Sequence, residues 1–377
     1  MSKYKIMTPG PVQVPENVRL ARSLSTTNAD LDPQFYDEYK ETCELISELL
    51  HTKNETLILS GEGILGLEAA CASMTEPGDR VLILDNGIYG AGFADFVSMY
   101  GGTAVMYTKD YKNAFDVNEL DAYLKKDHDF KYATIVHCDT PSGMLNDIHK
   151  ICPLLKSYGI MTVTDSVSGM FGNEVDVDKA QIDILCGGSQ KAVSAPPGLT
   201  FVTISDEAKA AMENRKTPIA SFYCNLTIFK DYYKNLWFPY TMPISDIYGL
   251  KAAIDNIAAD KDLIKRHAKI ANATREALKE FGIKLHLESG FSDTVTVFDV
   301  PEGMTADDIL KRMREEHHIM LAGSFGDLAG KVIRIGHMGA SANVGDMLEV
   351  MSGLEETLRY LGWKSEKSLL KSFHDKL

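Results

Sequence analysis

The sequence lacks the long apolar run that a membrane-spanning helix needs. Nowhere among its 377 residues do apolar residues continue for the roughly 18 positions that such a helix requires. Residues 1–10 contain two lysines but no apolar segment of the length found in a signal peptide. We therefore expect a protein without a membrane anchor, located in the cytoplasm.

Cysteine is scarce and scattered. There is no CxxC pair among the six cysteines, which are Cys43, Cys71, Cys138, Cys152, Cys186 and Cys224. In a chain of this length, that pattern fits reduced and mostly buried thiols better than disulfides or a zinc site. We expect no metal centre.

Positive charge is in deficit. The chain has 39 lysine and arginine residues against 53 aspartate and glutamate residues, which gives a net charge of −14 at pH 7. Duplex nucleic acid and anionic membranes both need a basic protein surface, so binding to either is not expected. Hydrophobic residues make up 45% of the chain and charged residues 24%, which is typical of a folded soluble protein.

What the sequence does contain is a regular alternation of short apolar runs and helical patterns. Seven apolar runs have the length and composition of strands, at 55–60, 81–85, 103–107, 134–138, 161–165, 182–186 and 199–204. The accompanying helical patterns are at 33–50, 64–74, 93–100, 117–126 and 148–158. Apolar strands that alternate with helices predict an α/β fold with a mostly parallel seven-stranded sheet covered on both faces.

The C-terminal third predicts a smaller α+β domain. A long helical pattern runs from about 245 to 281, and strands at 294–300 and 331–336 then alternate with helices at 306–317 and 344–361. The predicted division is an N-terminal arm at 1–18, a large domain at 19–260 and a small domain at 261–377.

Two charged residues follow the ends of predicted strands, where parallel sheets bind their ligands. Asp165 ends the run at 161–165. It can be a helix cap, or a carboxylate that keeps a heterocyclic nitrogen protonated. Lys191 follows the run at 182–186 and two glycines. It can be a surface lysine, or an amine whose pKa falls in a desolvated cleft so that it becomes a nucleophile. The combination of the two favours the second interpretation of each.

Two further segments suit an anion. The segment at 60–66 passes from a strand through glycines into a helix, and a helix N-terminus can bind an anion. It can equally be an ordinary strand-to-helix turn. Arg334 lies inside an apolar strand, where it either binds a carboxylate in bidentate fashion or forms a structural ion pair.

Taken in order, these segments resemble the class V aminotransferases, the group of alanine–glyoxylate and serine–pyruvate transaminases, over nearly the whole chain. The motifs that carry the resemblance are Thr8-Pro9-Gly10-Pro11, the glycine turn at 60–66, Asn86-Gly87-Ile88-Tyr89-Gly90, His137-Cys138-Asp139-Thr140-Pro141-Ser142-Gly143, Asp165, Ser189-Gln190-Lys191, Pro196-Pro197-Gly198 and Arg334-Ile335-Gly336-His337. Each motif is weak alone, but the ordered set is specific. The resemblance implies the fold-type I architecture of enzymes that depend on pyridoxal 5′-phosphate.

The resemblance also implies roles for individual residues. Lys191 would form the internal aldimine with pyridoxal phosphate and carry the proton between the substrate Cα and the cofactor's C4′ carbon. Asp165 would pair with the pyridinium nitrogen, and Tyr89 would stack on the ring. Thr140 would hydrogen-bond near the ring hydroxyl, and Arg334 would bind the substrate carboxylate.

Other implied site residues surround this centre. Those expected around the ring's 5′ substituent are Gly61, Glu62, Gly63 and Gln190, and those expected beside the substrate are Pro9 and Gly10. In this family a loop of the partner chain closes the site. The resemblance therefore implies a homodimer with the active site at its interface, and it places Phe238 and Thr241 across that interface.

Two positions depart from the family pattern, and a third departs from one group within the family. Glu62 stands where close relatives have a small hydroxyl residue beside the cofactor phosphate, and Phe238 stands where they have a phosphate-binding tyrosine. Both departures make the chain most similar to the pyridoxamine–pyruvate transaminase group, in which unphosphorylated pyridoxamine or pyridoxal is itself the substrate. Ser324 does not fit that group, because a further arginine is expected there. Glu62 can also turn away and cap the following helix.

Several functions therefore stay open. We expect amino transfer from a small amino acid to pyruvate or glyoxylate, with the pyridoxamine–pyruvate reaction as the close alternative. A non-catalytic pyridoxal-binding protein is the remote alternative. A cysteine desulfurase would need a cysteine on a mobile loop near the ring; Cys224 is the candidate, and we expect it to be a bystander. The amino donor is not readable, because specificity depends on pocket walls that differ by a few atoms.

Overall fold

Strands and helices alternate along the chain in the computed structural model, which describes residues 4–377. The strands are β1 (Lys5–Ile6), β2 (Glu55–Ser60), β3 (Arg80–Asp85), β4 (Thr103–Thr108), β5 (Tyr132–Val136), β6 (Cys138–Asp139), β7 (Met144–Leu145), β8 (Met161–Asp165), β9 (Ile184–Gly188), β10 (Leu199–Ile204), β11 (Val295–Asp299), β12 (Ile319–Met320) and β13 (Val332–Gly336). The first three residues of the predicted N-terminal arm lie outside the described part.

The helices fill the intervals between the strands. They are α1 (Glu16–Ala21), α2 (Pro33–Leu49), α3 (Gly63–Met74), α4 (Ile88–Met99), α5 (Val117–Leu124), α6 (Ile148–Ser157), α7 (Val177–Ala180), α8 (Asp206–Glu213), α9 (Tyr232–Asn235), α10 (Ile244–Ala259), α11 (Leu263–Glu280), α12 (Ala306–Glu315), α13 (Val344–Tyr360) and α14 (Leu369–Asp375). None of the helices between residues 4 and 377 is both long and apolar enough to cross a membrane.

The main sheet confirms the predicted α/β fold. Among the described residues it has seven strands, in the order β2-β10-β9-β8-β5-β3-β4. Strand β10 runs antiparallel to both of its neighbours, and the other adjacent pairs are parallel. Strand β2 therefore points the same way as β9, and the carboxyl ends of β2, β3, β5, β8 and β9 meet at one edge of the sheet. That edge is where such a sheet binds its ligand.

Local sequence signals place many of the element boundaries. Helix α2 begins after Asp32, whose side chain accepts a hydrogen bond from the Gln34 amide at 3.0 Å, and Pro33 occupies the first helical position, as the sequence predicts. The predicted strands at 55–60, 161–165 and 199–204 have the observed bounds.

The long helical pattern at 245–281 is wrong as a single helix. The structure divides it into α10 and α11, with a break at Asp260. There the Asp260 side chain accepts a hydrogen bond from the Asp262 amide at 3.2 Å. A short acidic side chain that bonds to the nearby backbone competes with the helical hydrogen bonds, and it ends the first helix.

Two hydrophobic clusters form the core. The larger surrounds the main sheet and its helices and includes Leu250 and Ile254 of α10. The smaller is built by α11 to α14 and β13, together with Met7 from the N-terminal segment. The predicted division after residue 260 falls at the break between α10 and α11, and it remains a prediction about separate folding units.

Candidate active site

A small cavity lies at the carboxyl edge of the main sheet. Its volume is about 230 Å³, and its lining includes Glu62, Tyr89, Asp165, Gln190 and Lys191. These residues follow four different strands, so the sheet topology brings them together. The volume is below the roughly 300–1,000 Å³ of drug-sized sites and suits a small ligand.

Asp165 ends β8 inside the protein. Its side chain is buried, and within residues 4–377 its carboxyl accepts a single hydrogen bond, from the Val167 amide at 2.9 Å. Burial raises the pKa of Asp165 to about 7. The Val167 amide and Lys191 lower this pKa, but by less than burial raises it. A buried carboxyl without a cation beside it is unfavourable. A protonated ring nitrogen would supply the missing partner.

Lys191 lies in the turn that follows β9. Its Nζ donates a hydrogen bond to the Pro9 carbonyl at 2.7 Å. Burial lowers the pKa of Lys191 to about 8, with the nearby Arg334 also acting in that direction. A substantial fraction of the amine is therefore neutral near physiological pH, as a nucleophile requires.

The N-terminal segment covers this amine. Gly10 has a φ of +111°, and a Cβ atom at this position would lie 2.6 Å from Lys191 Nζ. Only glycine combines that backbone conformation with the close approach. Pro9 and Gly10, which the resemblance places beside the substrate, therefore contact Lys191 directly.

Tyr89 stands at the start of α4, after β3. Its amide donates a hydrogen bond to Asp139 Oδ1 at 3.0 Å, and its ring lines the cavity. Asp139 is fully enclosed, accepts a hydrogen bond from the Ser142 hydroxyl at 2.7 Å, and has its pKa raised by burial. From the sequence, Asp139 was identified only as part of the motif at 137–143. The available signal was its position as an acid behind the apolar strand β5.

Arg334 lies half-buried on β13. Its Nε donates to the Gly323 carbonyl at 2.5 Å and its Nη1 to the Thr140 carbonyl at 3.3 Å. No carboxylate of the described chain forms an ion pair with it, so the alternative of a structural ion pair is wrong. Burial lowers its pKa. A half-buried guanidinium that is held by carbonyls and has no anionic partner among the described residues suits the carboxylate of a ligand.

Glu62 caps helix α3. One carboxylate oxygen accepts from the Ile64 amide at 2.9 Å, and the other accepts from Gln190 Nε2 at 3.0 Å. The predicted cap is therefore present, but Glu62 does not turn away from the site, because it still lines the cavity. The neighbouring Gly63 permits tight packing, because a Cβ atom there would lie 2.8 Å from the Val167 side chain. The Gly61 amide donates a hydrogen bond to the Gly198 carbonyl at 2.8 Å.

Phe238 corrects the expectation of an interface residue. The side chain is 3% exposed and stacks on Tyr36 of its own chain at 4.5 Å between ring centroids. It packs in the hydrophobic core, so it cannot reach the site of a partner. The sequence position was ambiguous because an aromatic residue suits either a core or an interface. Thr241 is exposed, and its place across an interface stays a prediction.

Two other sequence-based candidates have structural explanations. Ser324 donates a hydrogen bond to the Pro141 carbonyl at 3.1 Å, close to Arg334. Cys224 is 6% exposed, and burial raises the pKa of its thiol. A buried thiol that does not line the cavity fits the expected bystander.

A larger cleft of about 850 Å³ lies elsewhere, between α2 and the start of β2. It is at the amino end of β2 and therefore at the opposite edge of the sheet from Lys191 and Asp165. Its lining residues include Glu44, His51 and Tyr233. Size alone does not identify an active site. We place the active site at the smaller cavity, because the shifted pKa values of Lys191 and Asp165 occur there, at the carboxyl ends of the strands.

A mostly parallel sheet with a buried lysine amine and a buried acid in one cavity at its carboxyl edge is typical of an enzyme active site. The chain belongs to the class-V aminotransferase family: the family model for aminotransferase class-V matches residues 18–334. It is 32% identical over 347 residues to the pyridoxamine–pyruvate transaminase of Mesorhizobium japonicum, covering 89% of this chain and 86% of that protein.

Two further similarities support the same family. The alanine–glyoxylate aminotransferase of Callithrix jacchus is 30% identical over 368 residues, which cover 94% of this chain and 87% of that protein. The crystal structure of ureidoglycine–glyoxylate aminotransferase from Bacillus subtilis superimposes with a TM-score of 0.94 at 29% identity, covering 100% of this chain and 98% of that one. The protein is therefore an aminotransferase with the fold-type I architecture, and the family implies dependence on pyridoxal phosphate.

The two ends of the cavity differ in how well they fit that cofactor. Asp165 and Lys191 fit a pyridoxal ring, because a buried carboxyl lacks a cation and a desolvated amine faces the same space. At the other end Glu62 occupies the amide of Ile64, and Gln190 Oε1 is buried and accepts no hydrogen bond within the described part of the chain. That end offers acceptors, which suit a hydroxyl better than a phosphate.

Proposed function

We propose that this enzyme moves an amino group from a small amino acid to pyruvate or glyoxylate. The observation that carries the proposal is the shared cavity of Lys191 and Asp165, with Arg334 close by and without an anionic partner among residues 4–377. The relatives named as alanine–glyoxylate and pyridoxamine–pyruvate transaminases support the choice of 2-oxo acid.

Each residue has a distinct task in this proposal. When bound, the pyridoxal ring supplies the electron sink that amino transfer needs. Lys191 Nζ moves a proton to and from the substrate Cα, and Asp165 holds a proton at the ring nitrogen. Tyr89 would cover one face of the ring, and Thr140 would hydrogen-bond near its hydroxyl. Arg334 holds the substrate carboxylate with paired N–H donors and so fixes the position of Cα.

A second candidate has a specific observation in its favour. The N-terminus of α3 would ordinarily bind a phosphate, but the Glu62 carboxylate occupies the Ile64 amide. A phosphate brought within a few ångströms of this carboxylate would be repelled, at a cost of several kcal/mol in a partly desolvated site. A hydroxymethyl group can instead donate to Glu62 or to Gln190 Oε1. Unphosphorylated pyridoxamine would then be the amino donor, with pyruvate as acceptor.

One pair of assays separates the two candidates. Purified protein is incubated either with pyridoxal phosphate, alanine and glyoxylate, or with pyridoxamine and pyruvate, and the amino acid produced is quantified. Borohydride reduction followed by peptide mass then identifies which ring is attached to the peptide containing Lys191. Glycine in the first assay supports the amino acid reaction, and alanine in the second supports the pyridoxamine reaction. If neither product forms, the proposed substrates are wrong.

We also propose a homodimer in the cytoplasm. Several large apolar side chains in the segment that precedes Thr241 are half-exposed: Phe222, Tyr223, Leu236 and Trp237. A concentrated apolar surface of this kind is typical of a protein–protein interface. Analytical ultracentrifugation at micromolar concentration tests the assembly, and a single species with the mass of one chain would contradict it.

A further inference from the structure

The loop that joins β12 to β13 is fixed against the site. Gly323 accepts the hydrogen bond from Arg334 Nε, and Ser324 donates to the Pro141 carbonyl at 3.1 Å. Ala322 and Arg334 also pair through their backbones, at 3.2 and 2.7 Å. Because one end of the loop is attached to the strand that carries Arg334, the position of the loop is coupled to that of the guanidinium.

The Phe325 ring lies near both Tyr89 and Arg334. Its centroid is 6.1 Å from that of Tyr89 in an edge-to-face arrangement, and the Arg334 Cζ atom is 5.8 Å from the centroid. Both geometries are attractive for an aromatic ring. Under the proposed function, the substrate lies between the ring that Tyr89 covers and the guanidinium of Arg334. Phe325 therefore forms one side of that space.

The turn after Phe325 has little freedom to move aside. Gly326 has a φ of +57°, and a Cβ atom there would lie 3.3 Å from the Ile88 side chain at the start of α4. The Leu328 amide closes the turn by donating to the Phe325 carbonyl at 3.2 Å. Phe325 itself is 43% exposed, so the hydrophobic core does not account for its position.

We propose that Phe325 limits the side chain of the amino acid and of the 2-oxo acid to small apolar groups. A fixed aromatic ring excludes the volume of a branched side chain, and it offers no donor to a second carboxylate. This inference rests on the proposed function and names the substrate class of the same site. It holds for either amino donor, because pyruvate is an acceptor in both candidate reactions.

The test compares two acceptors in the holoenzyme. We measure kcat/KM for pyruvate and for 4-methyl-2-oxopentanoate with wild type and with Phe325→Ala, using the amino donor that wild type accepts. Phe325→Ala should raise the preference for the branched acid about tenfold relative to pyruvate, since pocket walls that differ by one or two methylenes change selectivity by roughly 10–200-fold. Phe325→Tyr keeps the ring and should leave the ratio as in wild type.

A matched control removes an aromatic ring that packs on a different arginine. Tyr360 is 70% exposed and lies over the Arg312 guanidinium at 3.6 Å in the C-terminal part of the chain. Tyr360→Ala should leave the ratio of the two acceptors unchanged. If Phe325→Ala lowers kcat/KM for both acids equally, or leaves the ratio unchanged, the specificity role is refuted. A wild-type enzyme that turns over neither pyruvate nor glyoxylate would instead refute the proposed function.

Discussion

The two ends of the cavity illustrate opposite ways of placing charge inside a protein. At one end, Asp165 and Lys191 have few partners, and burial moves both pKa values towards neutrality. At the other end, both oxygens of Glu62 are satisfied, by the Ile64 amide and by Gln190. Buried polar groups without hydrogen-bond or ionic partners in the chain mark positions where a ligand can bind. A buried polar group whose partners come from the chain itself does not mark such a position.

The largest effect is expected from Lys191→Ala, which removes the amine. Turnover should fall by at least about 10³-fold, since both the attachment to the ring and the proton transfer are lost. Borohydride should no longer attach pyridoxal to the protein. The control is Lys209→Ala, which removes a lysine paired with Glu55 at the other edge of the sheet and should leave turnover unchanged. Normal turnover in Lys191→Ala would show that Lys191 is not the amine that reacts with the ring.

Asp165→Asn keeps the shape of the side chain and removes its charge. We expect kcat to fall about 100-fold, because a preorganised charge at a reacting group is worth about that factor. The control is Asp183→Asn, a buried aspartate paired with Lys156. It is expected to affect stability but not kcat. An Asp165→Asn enzyme with the wild-type kcat would show that this carboxyl does not face the ring.

The same variant gives a test of stability without the ligand. The pKa of Asp165 in the folded protein, about 7, is above its ordinary value of 3.8, so its ionisation destabilises the fold increasingly as pH rises between those values. Above pH 7 that loss is complete in wild type and absent in Asp165→Asn. At pH 8 the ligand-free variant should therefore melt at a temperature no lower than wild type. A lower Tm for the variant would mean that the ionised Asp165 carboxylate is stabilised by a partner in the ligand-free wild type.

Glu62→Ser tests the other end of the cavity. Serine can still cap α3, but the negative charge is removed. The affinity for pyridoxal phosphate relative to pyridoxal should rise about tenfold, equivalent to ~1.4 kcal/mol, as measured by fluorescence titration. Asp116→Ser is the matched control, because Asp116 caps α5 by accepting from the Asn118 amide away from the cavity. An unchanged ratio in Glu62→Ser would mean that the carboxylate does not act on the 5′ substituent.

A change of similar size is expected in the pH dependence of covalent capture. With the pKa of Lys191 near 8, the neutral fraction of its amine rises about tenfold between pH 7 and pH 9. The initial rate of pyridoxal attachment to ligand-free protein, trapped with borohydride, should rise by the same factor. An ordinary lysine would show a rise of roughly 100-fold over this interval. A rise of that larger size would show that the cavity does not desolvate the amine.

The sequence predicted the centre of the site better than its walls. Lys191 and Asp165 were accessible because each follows an apolar run, and strand ends converge at one edge of a parallel sheet. Phe325 gave no comparable signal, because it lies in a loop whose position depends on Arg334 and Pro141. Phe238 was assigned to an interface and lies in the core, since an aromatic residue suits both environments.

The order of apolar runs and helical patterns by itself determined the sheet, because strand and helix periods are local properties of the chain. The direction of the Glu62 side chain was decided by tertiary structure, since it depends on Gln190, 128 residues away. The shifted pKa values of Asp165 and Lys191 were also decided by the tertiary structure. Burial is a property of the assembled fold, and only the fold removes water from an acid and an amine that are 26 positions apart in the sequence.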